Sequence, residues 1–301
     1  MTEYKYQIFF PGGNKTALVL RLDDQIKKDE KLRKIVQDAI FAKHKQDKDG
    51  KVEQVGFINP DKSVSQLMMA GGEFCGNAAR SAVKYYFNES RQKEIDLEIL
   101  LDPEKETSPQ SIQTNFESLI LHGEVNSNNV RVQMPLLGNL LDTVIPVENR
   151  FYWVKIKGIS HLIVPQTQFN LYFKTLFESR LDDPAIIAGR LLNKILKENS
   201  FELGNACGII FLEDVVNILK MHPFVFVKKS GTTFYETGCG SGAMCVGLVS
   251  SKLRDGSVDI PLLQPSGKII TAEVSYKNGG AVEGKISGVV EEYVKKSEVD
   301  C

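Results

Sequence analysis

Two cysteines, each followed at once by glycine, precede apolar segments with helical periodicity in opposite halves of the 301-residue sequence. The two segments are Cys75-Gly76-Asn77-Ala78-Ala79 and Cys239-Gly240-Ser241-Gly242-Ala243. The strands and helices predicted around them follow a similar order in both halves. A repeated unit is the simplest interpretation. It predicts an α+β fold of two similar lobes, an N-terminal one over residues 1–139 and a C-terminal one over residues 140–301.

Turn residues and hydrophobic spacing place several other elements. The Pro-Gly-Gly-Asn turn at residues 11–14 predicts a hairpin between strands at Tyr6–Phe10 and Ala17–Leu22. Apolar residues at helical spacing predict one helix over Asp24–His44 and another over Pro184–Lys197. Each half therefore combines strands with helices.

Composition excludes several classes of protein. The 37 Lys and Arg residues nearly balance the 38 Asp and Glu residues, so the sequence shows no footprint of a nucleic-acid partner. We expect no membrane partner, because the start MTEYKYQIFF lacks an apolar signal core and no apolar run reaches spanning length. The five cysteines form no metal-site pattern and no disulfide framework, which predicts free thiols, no bound metal and a cytoplasmic location.

A thiol at the start of a helix points to acid–base chemistry. Backbone N–H groups of the first turn lack intrahelical partners and carry a partial positive charge, so they favour a thiolate and can bind a carboxylate. Two such thiols suit inversion at the Cα of an amino acid: a thiolate removes the proton from one face and a thiol delivers one to the other. No lysine has a recognisable pyridoxal phosphate context, which favours a reaction without a cofactor. Cys207 and Cys245, in a predicted strand and inside a helix, are interpreted as structural.

At these motifs the sequence resembles the diaminopimelate epimerase superfamily of cofactor-independent racemases, and within it the histidine racemases more closely. The resemblance extends over essentially the whole chain and includes "PGGN", "EQVGFI", "FCGNA", "SHLIVP", "YETGCGSG" and "LQPSGKI". It implies two pseudosymmetric lobes, each a barrel-like, mostly antiparallel sheet around a central helix. It also implies a possible homodimer.

The resemblance assigns roles to individual residues. Cys75 and Cys239 correspond to the two catalytic thiols. The remaining positions bind the substrate, either through backbone donors for its carboxylate (Gly76, Asn77, Gly240 and Ser241) or as polar residues of the pocket (Asn14, Gln54 and His161).

Departures from the diaminopimelate epimerase pattern bear on the substrate. Met69, Ala206 and the segment Ser230–Thr232 stand where those enzymes hold the distal amino-acid end of diaminopimelate. Without an arginine partner, a buried distal carboxylate would cost several kcal/mol, so the substrate should lack one. Glu53 and Glu236 match acids of the histidine racemases and could accept a hydrogen bond from an imidazole N–H. The prediction is interconversion of L-histidine and D-histidine.

Alternative functions stay open at this point. A diaminopimelate epimerase, or a broad-spectrum racemase of basic and polar amino acids, would use the same chemistry. A cysteine hydrolase could pair one thiol with His161, but it would leave the second Cys-Gly segment unexplained. A non-catalytic amino-acid-binding protein would explain the helix starts but not the retention of both thiols.

Overall fold

The computed structural model is a mixed α+β protein, mostly sheet with few helices, as predicted for the fold class. It describes residues 2–47, 50–61, 63–102, 117–138, 140–147, 150–173, 183–202, 204, 206–227, 232–278 and 280–301. Within the described residues, no helix combines the length and the apolar character needed to span a bilayer.

The strands and helices have the following bounds. The strands are β1 (Glu3–Pro11), β2 (Lys15–Val19), β3 (Val52–Ile58), β4 (Gln66–Met69), β5 (Glu94–Leu101), β6 (Glu117–Asn126), β7 (Asn129–Gln133), β8 (Val144–Val147), β9 (Phe151–Ile156), β10 (Ile159–Val164), β11 (Ala206–Val215), β12 (Ile218–Val227), β13 (Thr232–Tyr235), β14 (Val258–Leu263), β15 (Ile269–Lys277) and β16 (Gly280–Asp300). The helices are α1 (Asp24–Lys28), α2 (Glu30–Lys43), α3 (Gly76–Ser90), α4 (Leu140–Thr143), α5 (Gln166–Phe173), α6 (Pro184–Glu198) and α7 (Gly240–Arg254).

The chain divides into two compact units. Unit 1 comprises residues 1–132 and 289–301, and unit 2 comprises residues 133–288. Strand β16 begins in unit 2 and ends in unit 1. The division into domains at residues 139 and 140 stays a prediction.

In unit 1, strands β1 to β7 are hydrogen-bonded to one another in chain order, and α3 packs against six of them. Strand β1 pairs antiparallel with β2 on one side and with the end of β16 on the other. Pairs β2–β3 and β4–β5 are parallel, and β3–β4, β5–β6 and β6–β7 are antiparallel. Helix α3 contacts all of β1 to β6. Burial of one helix against six strands fixes where its first turn lies in this unit.

In unit 2, the strand order is β16-β15-β14-β12-β11-β10-β9-β8, with β13 paired to β12. Pairs β10–β11 and β12–β14 are parallel, and the other pairs are antiparallel. Helix α7 contacts β8, β9, β10, β14 and β15, whereas α6 contacts β11, β12 and β13. Helices α6 and α7 therefore contact different sets of strands, and α7 packs against five strands of unit 2.

Local chemistry explains which predicted elements formed. The opening hairpin is confirmed by the pairing Tyr6↔Val19, with Gly12 and Gly13 at φ 83° and 99° in the turn. The helix predicted over Pro184–Lys197 is confirmed by α6. Asp183 caps α6, and Pro184 occupies its first turn.

The single helix predicted over Asp24–His44 is wrong, because the segment forms α1 and α2. Asp29 ends α1 with φ −106° and ψ 89°, and its carboxylate accepts a hydrogen bond from the backbone N–H of Leu32 at 2.9 Å. An N-cap residue has non-helical dihedral angles, so a new helix starts here. The apolar stripe continues through the break and conceals it in the sequence.

Candidate active site

Cys75 is the N-cap residue of α3. Its backbone is extended, with φ −134° and ψ 111°, and its Sγ accepts a hydrogen bond from the backbone N–H of Ala78 at 3.4 Å. Ordinary N-caps use an oxygen acceptor for this bond, so the thiol replaces the usual side chain. The half-buried Cys75 Sγ therefore lies at the positive end of α3.

Cys239 is the N-cap residue of α7 and repeats this geometry. Its φ of −128° and ψ of 104° match those of Cys75, and its Sγ accepts a hydrogen bond from the backbone N–H of Gly242 at 3.4 Å. Both helices contain 15 residues and end at a left-handed residue, Arg91 in one case and Asp255 in the other. The two Cys-Gly segments are thus equivalent in conformation as well as in sequence.

Polar side chains of unit 1 converge on the start of α3. Asn77 Nδ2 donates to Asn14 Oδ1 at 3.3 Å, and Arg80 Nη2 donates to Asn77 Oδ1 at 2.8 Å. All three side chains are buried, and Arg80 has no exposed surface at all. The structure therefore places predicted residues Asn14 and Asn77 together, in a network that ends on a buried cation.

Polar side chains of unit 2 converge on the start of α7. The fully buried His161 on β10 shares a hydrogen bond of 2.9 Å between its Nε2 and Ser241 Oγ. Ser241 Oγ in turn lies 3.6 Å from Cys239 Sγ. Predicted residues His161 and Ser241 thus form a chain of contacts that leads to the thiol.

His161 is held in its neutral form. Burial lowers its pKa to about 3, so it carries no charge at neutral pH. Its Nδ1 has no hydrogen-bond partner among the described residues and packs over Gly208 on the paired strand β11. A Cβ on Gly208 would lie 2.4 Å from that nitrogen, so only glycine leaves room for the ring.

Burial and the neighbouring Glu236 together raise the pKa of the Cys239 thiol. Burial raises the pKa of the Cys239 thiol well above its ordinary value, and the charge of Glu236 and a hydrogen bond to it raise it further. The bonds from Ser241 and from the backbone N–H of Gly242 act in the opposite direction but do not prevail. The expectation that the helix start would favour a thiolate is therefore wrong for Cys239, because desolvation and a neighbouring acid outweigh the helix.

Glu53 and Gln54 lie at an irregularity of β3. Lys15 on β2 is opposite Val52, but the next residue, Thr16, is opposite Gln54, so Glu53 is the extra residue of a bulge. Glu53 is buried, and Gln54 Oε1 accepts a hydrogen bond from Thr16 Oγ1 at 3.2 Å. A bulge changes the direction of side chains along a strand, which an alternating pattern does not reveal.

The glycines after the cysteines are buried, and a side chain at Gly242 would crowd its neighbours. Gly76 and Gly240 open α3 and α7, where first-turn N–H groups are available as donors. A Cβ on Gly242 would lie 2.8 Å from Ile210 Cδ1 and 3.1 Å from Cys239 Sγ. The protein's own side chains therefore occupy the space next to Gly242.

Two residues of the site were missed in the sequence interpretation. Gln264 has no exposed surface, and its Oε1 accepts the backbone N–H of Cys239 at 3.0 Å, which anchors the N-cap residue. Its signal was the "LQPSGKI" segment, which had been assigned no role. Arg80 is five residues after Cys75 in the segment "CGNAAR", and this short spacing could have indicated that it belongs to the site.

The other sequence-predicted positions have simpler environments. Cys207 lies in the core of unit 2 and burial raises its pKa to about 12, while Cys245 is buried inside α7. Met69 and Ala206 are both buried. Ser230 and Gly231, which begin the third departing segment, lie outside the described residues. Among the residues that the structure describes, no cluster of His, Cys, Asp and Glu could hold a metal ion.

Comparison with known proteins identifies the family. Residues 5–295 match the family model described as the histidine racemase CntK N-terminal domain. The chain therefore belongs to the histidine racemase family. This membership confirms the resemblance found in the sequence and makes the protein an isomerase by family.

Histidine racemases of two bacteria are similar along nearly their whole length. The one from Fusobacterium nucleatum subsp. nucleatum is 29% identical over 296 residues, which cover 92% of this chain and 93% of that one. The one from Staphylococcus aureus is 23% identical over 298 residues, which cover 95% of each chain.

Solved structures of related isomerase folds are similar in architecture. A hydroxyproline epimerase from Agrobacterium vitis has a TM-score of 0.61 and 12% identity, covering 99% of this chain and 92% of that one. A PhzF-family phenazine biosynthesis protein from Bacillus anthracis has a TM-score of 0.59 and 14% identity, covering 100% of both chains. At this identity the likeness shows the fold alone.

Proposed function

We propose that this chain interconverts L-histidine and D-histidine without a cofactor, using Cys75 and Cys239 as the two acid–base groups. The observation that carries the proposal is the matched pair of thiol N-caps. Each unit presents one cysteine with the same backbone dihedral angles at the start of a 15-residue helix. Membership of the histidine racemase family supports the choice of reaction.

The proposed reaction is a proton exchange at Cα. One cysteine, as thiolate, removes the Cα proton from one face of histidine, and the other, as thiol, delivers a proton to the opposite face. The product is the mirror image, and the thiol and the thiolate have exchanged roles. Backbone N–H groups at Gly76, Asn77, Gly240 and Ser241 are proposed to bind the carboxylate, whose negative charge grows as the proton leaves.

Glu53 and Glu236 are the proposed partners of the imidazole side chain. Both carboxylates are buried, and a carboxylate accepts a strong hydrogen bond from an imidazole N–H, so the ring is a suitable partner. Glu236 also interacts with Cys239, so it would link recognition of the ring to protonation of the thiol. The proposed polar lining includes Asn14, Gln54 and His161, and the hydrogen bond between His161 and Ser241 supports a role for His161 through Ser241.

The finer description of the fold is also a proposal. We propose two pseudosymmetric lobes, each a barrel-like sheet around a central helix. The contacts of α3 with six strands and of α7 with five support this description. A homodimer in the cytoplasm, with no metal, nucleic acid or membrane as partner, completes the proposal.

Incubation with L-histidine or D-histidine in deuterated water, followed by chiral chromatography and mass spectrometry, tests the function. The wild-type protein should form the other enantiomer with deuterium at Cα, and Cys75→Ala and Cys239→Ala should each abolish this, because each face needs its own group. Cys301→Ala, which removes a thiol outside both helices, is the matched control and should keep activity. Near wild-type racemisation in either single variant would refute the two-thiol reaction, and a preference for diaminopimelate or for other basic amino acids would refute the substrate.

A further inference from the structure

Arg80 is a buried cation whose hydrogen-bonding groups are only partly used. Its side chain has no exposed surface, and its Nη2 donates a hydrogen bond to Asn77 Oδ1 at 2.8 Å. Its Nε and Nη1 are buried and have no hydrogen-bond partner among the described residues. Burying a guanidinium costs several kcal/mol unless a negative charge offsets the lost hydration. No carboxylate forms a salt bridge with Arg80 within the part of the chain described.

A hydrogen bond links Arg80 to the first turn of the helix that Cys75 caps. Arg80 lies on α3, five residues after the N-cap cysteine, and Asn77, its hydrogen-bond partner, lies in the first turn. Burial lowers the pKa of Arg80 to about 10, and attraction to a negative Cys75 opposes that decrease. Arg80 therefore remains charged at neutral pH, and the sulfur of Cys75 is the negative group that acts on it.

We infer that Arg80 is the counter-charge of Cys75 and holds this cysteine as the thiolate in the free protein. Arg80 acts through Cys75 and is completely buried, so it is a positioning residue that does not touch the substrate. The environment of Cys239 is the opposite, because the neighbouring acid Glu236 favours its thiol form. The free protein is thus prepared with Cys75 as the base and Cys239 as the acid. This assignment rests on the proposed two-thiol function.

Other ionisable groups near α3 do not replace Arg80. The buried ionisable side chains on the six strands packed against α3 are Tyr4, Tyr6, Lys15 and Glu53. Lys15 forms an ion pair with Asp47 at 2.9 Å, and Glu53 would oppose a thiolate. Glu73, in the segment before Cys75, would also oppose it.

Lys84 is the one other cation of α3 that is buried, and its ammonium has different partners. Its Nζ donates to the backbone oxygen of Ser127 at 2.9 Å and to Asn128 Oδ1 at 3.1 Å. Lys84→Met therefore removes a positive charge from the same helix without touching the Arg80 network. It serves as the matched control for Arg80→Met.

Alkylation of the thiols by iodoacetamide, followed by peptide mass spectrometry across pH, tests the inference without requiring turnover. In Arg80→Met the alkylation rate of Cys75 at neutral pH should fall about tenfold, because an adjacent arginine favours the reactive thiolate. Arg80→Lys keeps the charge and should recover most of the rate, and Lys84→Met should match wild type. Cys301 in the same molecules is the reference thiol and should react equally in all four proteins.

A merely structural role for Arg80 predicts a change in the stability of Arg80→Met and no change in the alkylation of Cys75 in the folded variant. Arg80→Met also removes the donor to Asn77 Oδ1, so it should melt lower than wild type whatever the role of Arg80, and alkylation is measured well below its melting temperature. Loss of folding in Arg80→Met, together with a folded Arg80→Lys variant whose Cys75 alkylation falls as far as about tenfold below wild type, would overturn the inference. So would unchanged alkylation in a folded Arg80→Met variant whose KM for histidine rises, since that result would assign Arg80 to substrate binding. If the alkylation rate of Cys75 depends on Arg80 as expected but the protein racemises no histidine, the proposed function is rejected and the inference about Arg80 stands.

Discussion

The buried, neutral His161 should make the stability of unit 2 depend on pH. Burial lowers its pKa in the folded protein to about 3, whereas the ordinary value is 6.5. Below pH 6.5 an unfolded chain therefore binds a proton at His161 that the folded chain excludes, so acid favours unfolding. The stabilisation is fully present above pH 6.5 and is lost as the pH falls towards 3.

The size of the effect follows from this difference in pKa. Each pH unit below 6.5 lowers the free energy of unfolding by about 1.4 kcal/mol, so the decrease from pH 7 to pH 5 is about 2 kcal/mol. His161→Gln keeps a polar side chain that does not titrate, and it should remove this decrease. His222 is also buried and burial lowers its pKa, but it contributes equally to both proteins and cancels in the comparison.

Urea unfolding at pH 7 and pH 5, followed by the fluorescence of Trp153, measures the effect. Trp153 is the sole tryptophan, it is buried on β9, and it pairs with Leu162, the residue after His161. The expected result is a pH-dependent decrease about 2 kcal/mol larger in wild type than in His161→Gln. His122→Gln, which removes a partly exposed histidine on β6, should behave as wild type. An equal decrease in wild type and His161→Gln would refute a neutral, buried His161.

Two further predictions concern the acids and the glycine of the site. Glu53→Gln and Glu236→Gln should each raise the KM for histidine more than the KM for alanine. Glu236→Gln should also shift the basic limb of the kcat–pH profile to lower pH, because losing the carboxylate lowers the pKa of the Cys239 thiol. Equal changes in KM for both substrates and an unshifted profile would assign the two acids to structure. Gly208→Ala should destabilise unit 2 by about 1–3 kcal/mol in urea unfolding, because its Cβ would lie 2.4 Å from the His161 ring and 2.9 Å from a backbone oxygen. Gly256→Ala, whose Cβ would meet its nearest neighbour at 3.8 Å, is the control, and equal stability of the two variants would contradict the packing argument.

Local sequence signals were sufficient for the helix starts and the fold class. The Cys-Gly segments predicted the beginnings of α3 and α7 because capping is decided within a few residues. The turn glycines predicted the first hairpin for the same reason. The break at Asp29 was missed because a short aspartate can cap a helix or continue a polar face, and the apolar stripe does not distinguish these cases.

The electrostatics of the site could not be predicted from local sequence. The pKa of Cys239 is raised because strands distant in sequence bury it and because Glu236 folds against it. His161 is neutral because it is buried, and its ring fits there only because Gly208, on another strand, has no side chain. Burial and cross-strand contacts of this kind are tertiary properties. At Cys239, burial raises the pKa of the thiol by more than the helix start lowers it.

The two thiol N-caps have the same conformation but opposite charged neighbours, and this difference has a chemical reason under the proposed reaction. Arg80 follows Cys75 by five residues, whereas the equivalent residue after Cys239 is the apolar Met244. Glu236 precedes Cys239 by three residues, whereas Gly72 stands at that distance before Cys75. Identical environments would give two thiols or two thiolates at most pH values, and neither pair can both remove and deliver a proton. Opposite neighbours provide one of each, and after each inversion the pair must exchange protons with solvent before it can repeat a turnover in the same direction.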